Sequence, residues 1–272
     1  MIPRCVHQTW RSAELPVLFQ KIYERNKEEN DTFEFKLWSH LPGNPDIDNF
    51  LKREYPDIFA IYEKTQFGVQ KSDIARIVLL YHYGGIYIDL DIMCLKSLDD
   101  VIDTHSDNVY LCMEPNEQTK TVFDKENVLC NAFFATPAKH DIFKQAIEEI
   151  KKLYDCHGDV IFKIFNCFGS DLMTKAIHIA DKNYDTCKFV KRDLIFPICD
   201  PKLQKLSCHK RDIDKIKIGR YGKACMVHYW IHSDFESKAL LDTFQYDEGK
   251  NFDSNIFRFF QELYTNDPYL KE

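Results

Sequence analysis

The spacing of hydrophobic and polar positions changes abruptly between residues 67 and 91. From Phe67 to Tyr83, Ile74, Ile77, Val78 and Tyr81 recur at helical spacing and predict one long helix. Gly84-Gly85 ends it, because glycine accepts the left-handed conformation that closes a helix. Ile86, Ile88 and Leu90 then alternate with Tyr87, Asp89 and Asp91, which predicts a strand over 86–91. Residues two apart in a strand share a face and lie about 6.6 Å apart. The pattern therefore sets Asp89 and Asp91 side by side at a strand end, with Tyr87 on their face and the opposite face buried.

The rest of the chain alternates in the same way. Runs at 4–9 and 33–39 read as strands, with a helix over 15–30 between them and short proline-broken helical pieces over 45–62. Further strands are expected at 109–114, 129–136, 187–196 and 225–230. Helices are expected at 140–154, 170–181 and 256–264. Segments 115–128 and 200–223 are polar and read as irregular loops. Strand–helix alternation over the first 100 residues implies a largely parallel sheet with helices on its faces. Ligand sites in such sheets lie at the carboxyl ends of strands, where Asp89 and Asp91 fall.

Two carboxylates held side by side repel unless something compensates them. A divalent cation does so, and hard oxygen ligands suit Mn²⁺ or Mg²⁺, which keep positions open for water and phosphate. A bare Asp-x-Asp reads equally as two solvated aspartates, and the helix–Gly-Gly–strand setting favours the metal. The chain has neither a Gly-x-Gly-x-x-Gly fingerprint nor a P-loop. Phosphate binding then falls to metal and side chains.

Composition narrows the class further. The chain has 272 residues, 44% hydrophobic and 29% charged, with no linker, repeat or low-complexity tract, as expected of one globular domain over 1–272. A net charge of −7 argues against nucleic acid as the main partner. Basic residues do gather at 202–223, including His209, Lys210, Arg211 and Lys215, and read as a solvated face or as a contact for an anionic acceptor. Ten scattered cysteines without a Cys-x-x-Cys pair suit a reducing compartment. With no apolar leader or anchor, the expectation is a cytosolic protein, or a Golgi-lumenal one if an anchor was removed.

The run from Ser72-Asp73 through Arg76 to Leu80-Tyr81-His82-Tyr83-Gly84-Gly85-Ile86-Tyr87-Ile88-Asp89-Leu90-Asp91 resembles the DXD-containing sugar transferases of glycosyltransferase family 32. That group includes relatives of the yeast initiating mannosyltransferase, and its core is similar to the glucosylating clostridial toxins. Three more segments fit in family order: Ile2-Pro3 to Trp10, Asn131 to His140, and Val227-His228-Tyr229-Trp230-Ile231-His232-Ser233. The resemblance spans residues 2 to about 234. It implies an α/β fold of the GT-A type, a mixed and mostly parallel sheet flanked by helices. Residues 1–100 would form the nucleotide-binding half, and 101–272 the acceptor side and closing segment.

The resemblance also implies roles. Asp91 ligates the metal, Asp89 supports it or holds ribose and metal water, and His228 is a third ligand or touches the diphosphate. Trp10 stacks on the nucleobase, Tyr87 reaches the diphosphate, and Trp230 and Ser233 contact the donor. Asp73 reaches donor hydroxyls, Arg76 sugar and phosphate, and Asn131 lies near the reacting sugar. Each has a plainer reading: an i, i+3 ion pair for Asp73 and Arg76, core packing for Trp10 and His228. The implied reaction is metal-dependent transfer from a nucleotide sugar to a glycan, glycoprotein or glycolipid hydroxyl, with retention. UDP-sugars are favoured as donors, with GDP-mannose next.

Two other classes compete. A strand ending in Asp-x-Asp also describes haloacid-dehalogenase-type phosphohydrolases. Here, though, Met93 stands two residues after the second Asp, where they normally have Thr or Val, and some 88 residues precede the motif. A non-catalytic binder of sugar nucleotides or glycans is the other, opposed by the full set of Asp73, Arg76, Asp89, Asp91 and Trp10.

Overall fold

The computed structural model describes residues 1–40, 46–163, 168–231 and 238–270. In chain order the first half runs β1 (Cys5–Trp10), α1 (Val17–Glu29), β2 (Glu34–Ser39), α2 (Ile47–Glu54), α3 (Pro56–Tyr62), α4 (Gly68–Tyr83), β3 (Gly85–Ile88), β4 (Ile92–Cys94) and β5 (Val109–Cys112). It continues with α5 (Asn116–Phe123), β6 (Phe133–Thr136), α6 (Asp141–His157), α7 (Ser170–Ala180), β7 (Cys187–Val190) and α8 (Arg192–Ile195). Then come α9 (His209–Ile218), β8 (Met226–His228), α10 (Lys238–Thr243) and α11 (Phe252–Leu263).

Six strands form one sheet in the order β2-β1-β3-β6-β5-β7, and β4 and β8 pair separately. The pairings β1–β2, β1–β3 and β5–β7 are parallel, and β6 runs against both its neighbours. The expected mixed, mostly parallel sheet is therefore present. Both faces of its central strands are covered. Ile86, Ile88, Phe133 and Ala135 join one buried cluster with α1 and α11, while Tyr87 and Phe134 join a second with α4 and α6. Strands covered on both sides lose the polar face expected from alternation, so Tyr87 is buried in the core.

Several boundaries differ from the sequence pattern. β3 stops at Ile88, and Asp89-Leu90-Asp91 forms a turn closed by Ile92 N–H donating to the Asp89 carbonyl at 3.1 Å. The carboxylates thus leave the strand instead of standing along it. β6 begins only at Phe133, because the chain bends at Asn131-Ala132 after the Cys130 amide bonds to Cys112. Within the expected strand 187–196, β7 ends at Val190 and α8 follows. The supposed loops 115–128 and 200–223 contain α5 and α9. Polar composition hid α9, yet its buried His209, Ile213 and Ile216 keep helical spacing.

The opening strand holds the turn region from behind. His7 is buried between two partners: Trp38 Nε1 donates to its Nδ1 at 3.0 Å, and its Nε2 donates to the Gly84 carbonyl at 3.0 Å. Burial lowers its pKa to about 4, so it stays neutral, as that pairing requires. Gly85 has φ +96°, and a Cβ there would lie 2.5 Å from the Cys5 carbonyl, so only glycine fits. Gln8 Nε2 donates to the Asp89 carbonyl at 3.4 Å.

The outer edge of β4 is capped by a side chain. The fully buried Asn26 of α1 donates to the Ile92 carbonyl at 2.8 Å and accepts from Cys94 N–H at 2.7 Å. It satisfies backbone groups that β8 does not reach. Among the described residues, no helix is long and apolar enough to cross a membrane. Asn26→Leu orphans two buried backbone groups and should lower unfolding free energy by about 2–4 kcal/mol. A urea titration checks this, and a loss below about 0.5 kcal/mol would mean the cap is not needed.

Candidate active site

The turn after β3 and the strand β8 meet at the sheet's carboxyl edge. Asp91 Oδ1 lies 3.1 Å from His228 Nε2, and Asp91 Oδ2 accepts Ile231 N–H at 2.8 Å. The backbone joins in, with Tyr229 N–H donating to the Asp91 carbonyl at 3.0 Å and Ile92 paired with His228. Asp89, Asp91 and His228 each offer a ligand atom within 4.8 Å of the others. Burial disfavours the imidazolium, but the charges of Asp91 and Asp89 outweigh it and raise the His228 pKa. His228 Nδ1 is buried without a hydrogen-bond partner among the described residues.

This donor set fits a divalent cation. Bonds of ~2.1 Å at right angles put neighbouring ligand atoms ~3.0 Å apart, and Asp91 Oδ1 and His228 Nε2 are separated by 3.1 Å. Two carboxylates with one imidazole suit Mn²⁺ at least as well as Mg²⁺.

Beside this cluster sits the buried Arg76. Its Nη2 is 3.3 Å from Asp73 Oδ1 and its Nη1 is 3.4 Å from Asp89 Oδ1. Nη1 also donates to the Asn131 carbonyl, Nε donates to the Ser72 carbonyl at 3.3 Å, and the guanidinium lies 4.6 Å from the Tyr87 ring centre. Burial opposes the charge, yet Asp89, Tyr87 and Asp73 together hold the Arg76 pKa above its usual range. Asn131 Nδ2 donates to Asp73 Oδ1 at 2.9 Å. Asp73, Arg76, Asp89 and Asn131 are therefore one network, with Asp89 shared between it and the Asp91–His228 cluster. Asp89 is the more open carboxylate, its side chain 29% exposed.

The remaining expected residues divide. Trp230 stacks against His228 with ring centres 4.1 Å apart and donates Nε1–H to the Ile198 carbonyl at 3.2 Å. Its φ is +56°, a left-handed conformation costly for a bulky residue, and that kink directs Ile231 N–H back to Asp91. Trp10 ends β1 at the same sheet edge but is buried, edge-on to Phe19 at 5.1 Å and with the Arg11 guanidinium 4.8 Å from its ring. Tyr87 is more enclosed than expected, its buried hydroxyl meeting Thr9 Oγ1 at 3.0 Å and also hydrogen-bonding Asp89. Ser233 lies outside the described residues.

Sequence reasoning missed Glu114, just past β5. Burial lifts its carboxyl to about 7, with His228 opposing the rise and Asp200 adding to it. Only its place after an apolar strand, in register with other strand ends, hinted at it. Four of the basic residues of 202–223 are paired: Lys210 with Asp214, Arg211 and Lys215 with Asp212, and His209 with Asp267.

Residues 16–108 match the family model described as the glycosyltransferase sugar-binding region containing the DXD motif. The match takes in α1 through β4 and so includes the helix–Gly-Gly–strand unit and the Asp-x-Asp turn. The Asp-x-Asp turn stands at the carboxyl end of β3 in the mixed, mostly parallel α/β sheet. Among curated relatives, inositol phosphoceramide mannosyltransferase 1 of Schizosaccharomyces pombe is 29% identical over 154 residues, 56% of this chain and 43% of that protein. Inositol phosphoceramide mannosyltransferase 2 of the same yeast is 33% identical over 102 residues, 38% of this chain and 28% of that protein. The chain thus matches less than half the length of these relatives. A solved structure described as PaToxG glycosyltransferase has TM-score 0.47 and 16% identity, over 68% of this chain and 72% of that one.

A carboxyl whose folded pKa is raised stabilises the fold below its unfolded value and loses that contribution as pH rises through the folded one. From an ordinary value of 4.5, Glu114 should lose it approaching pH 7. In metal-free protein, wild-type stability should fall relative to Glu114→Gln by about 1–2 kcal/mol between about pH 5 and pH 8, discounted for partial exposure. Parallel denaturation profiles for the two proteins would contradict this.

Proposed function

We propose that the chain transfers a sugar from a nucleotide-sugar donor to an acceptor hydroxyl, with a divalent cation held by Asp91, Asp89 and His228. The observation that carries this reading is the clustering of those three ligand atoms directly beside the buried Arg76–Asp73–Asn131 network. When bound, such a cation screens the nucleoside diphosphate leaving group as the glycosidic bond breaks.

The chain's own residues supply the rest. Arg76 presents fixed positive charge next to Asp89, so it attracts phosphate without having to reorganise. Asp73 and Asn131 orient each other and offer polar atoms to the donor sugar's hydroxyls. Trp230, stacked on His228, fixes that imidazole and shields the cluster from water. Trp10, at the edge of the same sheet, is the proposed nucleobase contact, and Ser233 in the closing segment a further donor contact. Tyr87 acts through Arg76, as the ring beneath its guanidinium.

Retention of anomeric configuration is part of the proposal. Asp91 is engaged by His228 and the Ile231 amide, and Asp89 by Arg76, so neither is placed as a nucleophile. Residues 1–272 act as one catalytic domain. The half before residue 100 brings Asp73, Arg76, Asp89 and Asp91, and the later half brings Asn131, His228 and Trp230. UDP-sugars and GDP-mannose are the donors to compare, the latter because the matched yeast relatives are named mannosyltransferases. A glycan, glycoprotein or glycolipid acceptor is proposed, and those same names favour a glycolipid. Nine described cysteines are free thiols, which supports a cytoplasmic setting.

A thermal-shift panel of nucleotide sugars, each with and without Mn²⁺, tests this on wild type and Asp91→Asn. Ligand at 100 times its dissociation constant adds about 2.7 kcal/mol to the folded state. One donor class should raise the melting temperature only with Mn²⁺, and Asp91→Asn should abolish the rise. The stabilising donor should then yield free nucleoside diphosphate on incubation. No shift with any donor and metal would overturn the reading, and a shift without diphosphate release would favour a binding protein.

A further inference from the structure

Well apart in sequence from the Asp89–Asp91 turn, Glu117, Cys199 and Cys208 bring a carboxylate and two thiols within 4.8 Å of one another. They come from three places in the fold. Glu117 lies in the first turn of α5, Cys199 follows α8, and Cys208 immediately precedes α9. The two sulfurs are 3.4 Å apart and both cysteines are buried, whereas the Glu117 side chain is 52% exposed. We propose that this cluster is a second metal site with a structural role, taking a borderline-soft divalent ion of the zinc class.

The spacing favours a metal over a direct link. In a tetrahedral site with ~2.3 Å zinc–sulfur bonds the two sulfurs stand ~3.7 Å apart. The observed 3.4 Å needs only a small outward adjustment. A disulfide instead requires ~2.05 Å, a far larger movement of two packed side chains. Glu117 supplies the third ligand. The fourth position opens on a cleft of about 830 Å³ lined by Glu117, Cys199, Arg211 and Lys215, from which water completes the set.

Charge and packing agree. Burial raises both thiols above their usual range, Cys199 to about 11, so each is neutral until an ion displaces its proton to solvent. Two thiolates and one carboxylate around a divalent ion leave one net negative charge. Arg211 Nη2, 3.8 Å from Glu117 Oε2, stands where it offsets that charge. The segment 199–208 packs in a small cluster of its own, formed by Cys199, Leu206 and Cys208 with Leu203, separate from the two main cores. So little apolar burial offsets poorly the entropy of ordering ten residues, and a metal clasp supplies the missing constraint. The segment matters to the first site, because the carbonyl of Ile198, next to Cys199, fixes the Trp230 indole.

Cobalt(II) added to the purified full chain provides the probe, since thiolate ligation gives a charge-transfer absorption in the near ultraviolet. Wild type and Asp91→Asn should both show the band at one equivalent of cobalt. Cys199→Ser and Cys208→Ser should each reduce or remove it. Glu117→Gln, a change at an exposed side chain, should keep the fold and weaken cobalt binding by about tenfold or more. Absence of the band in wild type, its survival in both cysteine variants, or unchanged affinity in Glu117→Gln would each overturn the assignment. So would resistance of both cysteines to alkylation in metal-free, denatured, unreduced protein, which would reveal a disulfide instead.

Discussion

A guanidinium taken out of water needs several acceptors at once, and Arg76 finds them on three separate stretches of chain. Asp73 comes from its own helix, Asp89 from the turn after β3, and the Asn131 carbonyl from the bend before β6. Losing one partner of such a buried set leaves an uncompensated charge, so the three stretches hold one another in place. The Asp-x-Asp turn is one of these stretches, and its position is therefore fixed by electrostatics as much as by the sheet. Gln8 and His7 add support from β1, bonding to carbonyls on either side of β3.

A second closure completes the site from the far end of the chain. Asp91 and the segment 228–231 are joined by strand pairing, two backbone amides and one imidazole. Trp230 accepts a left-handed backbone to make this possible, and its indole is anchored on Ile198 in return. Strain held by its surroundings at a functional cluster is a familiar way to fix side chains in advance. Asn26 does comparable work on the other edge of β4.

Much of this was legible in the sequence, for identifiable reasons. The α4–Gly-Gly–β3 unit announced itself because periodicity and glycine conformation are local signals, and Asp73, Arg76, Asp89 and Asn131 do share one network. The pairing of His228 with Asp91 came only through family resemblance, since nothing local connects residues 137 positions apart. The strand was read too long because alternation continues through Asp89-Leu90-Asp91, whereas the backbone turns there to reach β4. Tyr87 is more enclosed than alternation implies, because alternation cannot tell a solvent face from one covered by α4. Glu114, Asn26, α5 and α9 were missed because their roles depend on burial by distant segments.

The central claim is that His228 and a nucleoside diphosphate share one metal ion with the Asp-x-Asp turn. Pulsed electron paramagnetic resonance of the Mn²⁺-loaded protein with UDP or GDP reads this directly, through couplings to bound nitrogen and phosphorus. The account predicts one imidazole nitrogen coupling together with a phosphorus coupling in wild type. In His228→Ala the nitrogen signal should vanish while the phosphorus signal remains. A wild-type spectrum without nitrogen coupling, or a nitrogen signal that survives in His228→Ala, would contradict it.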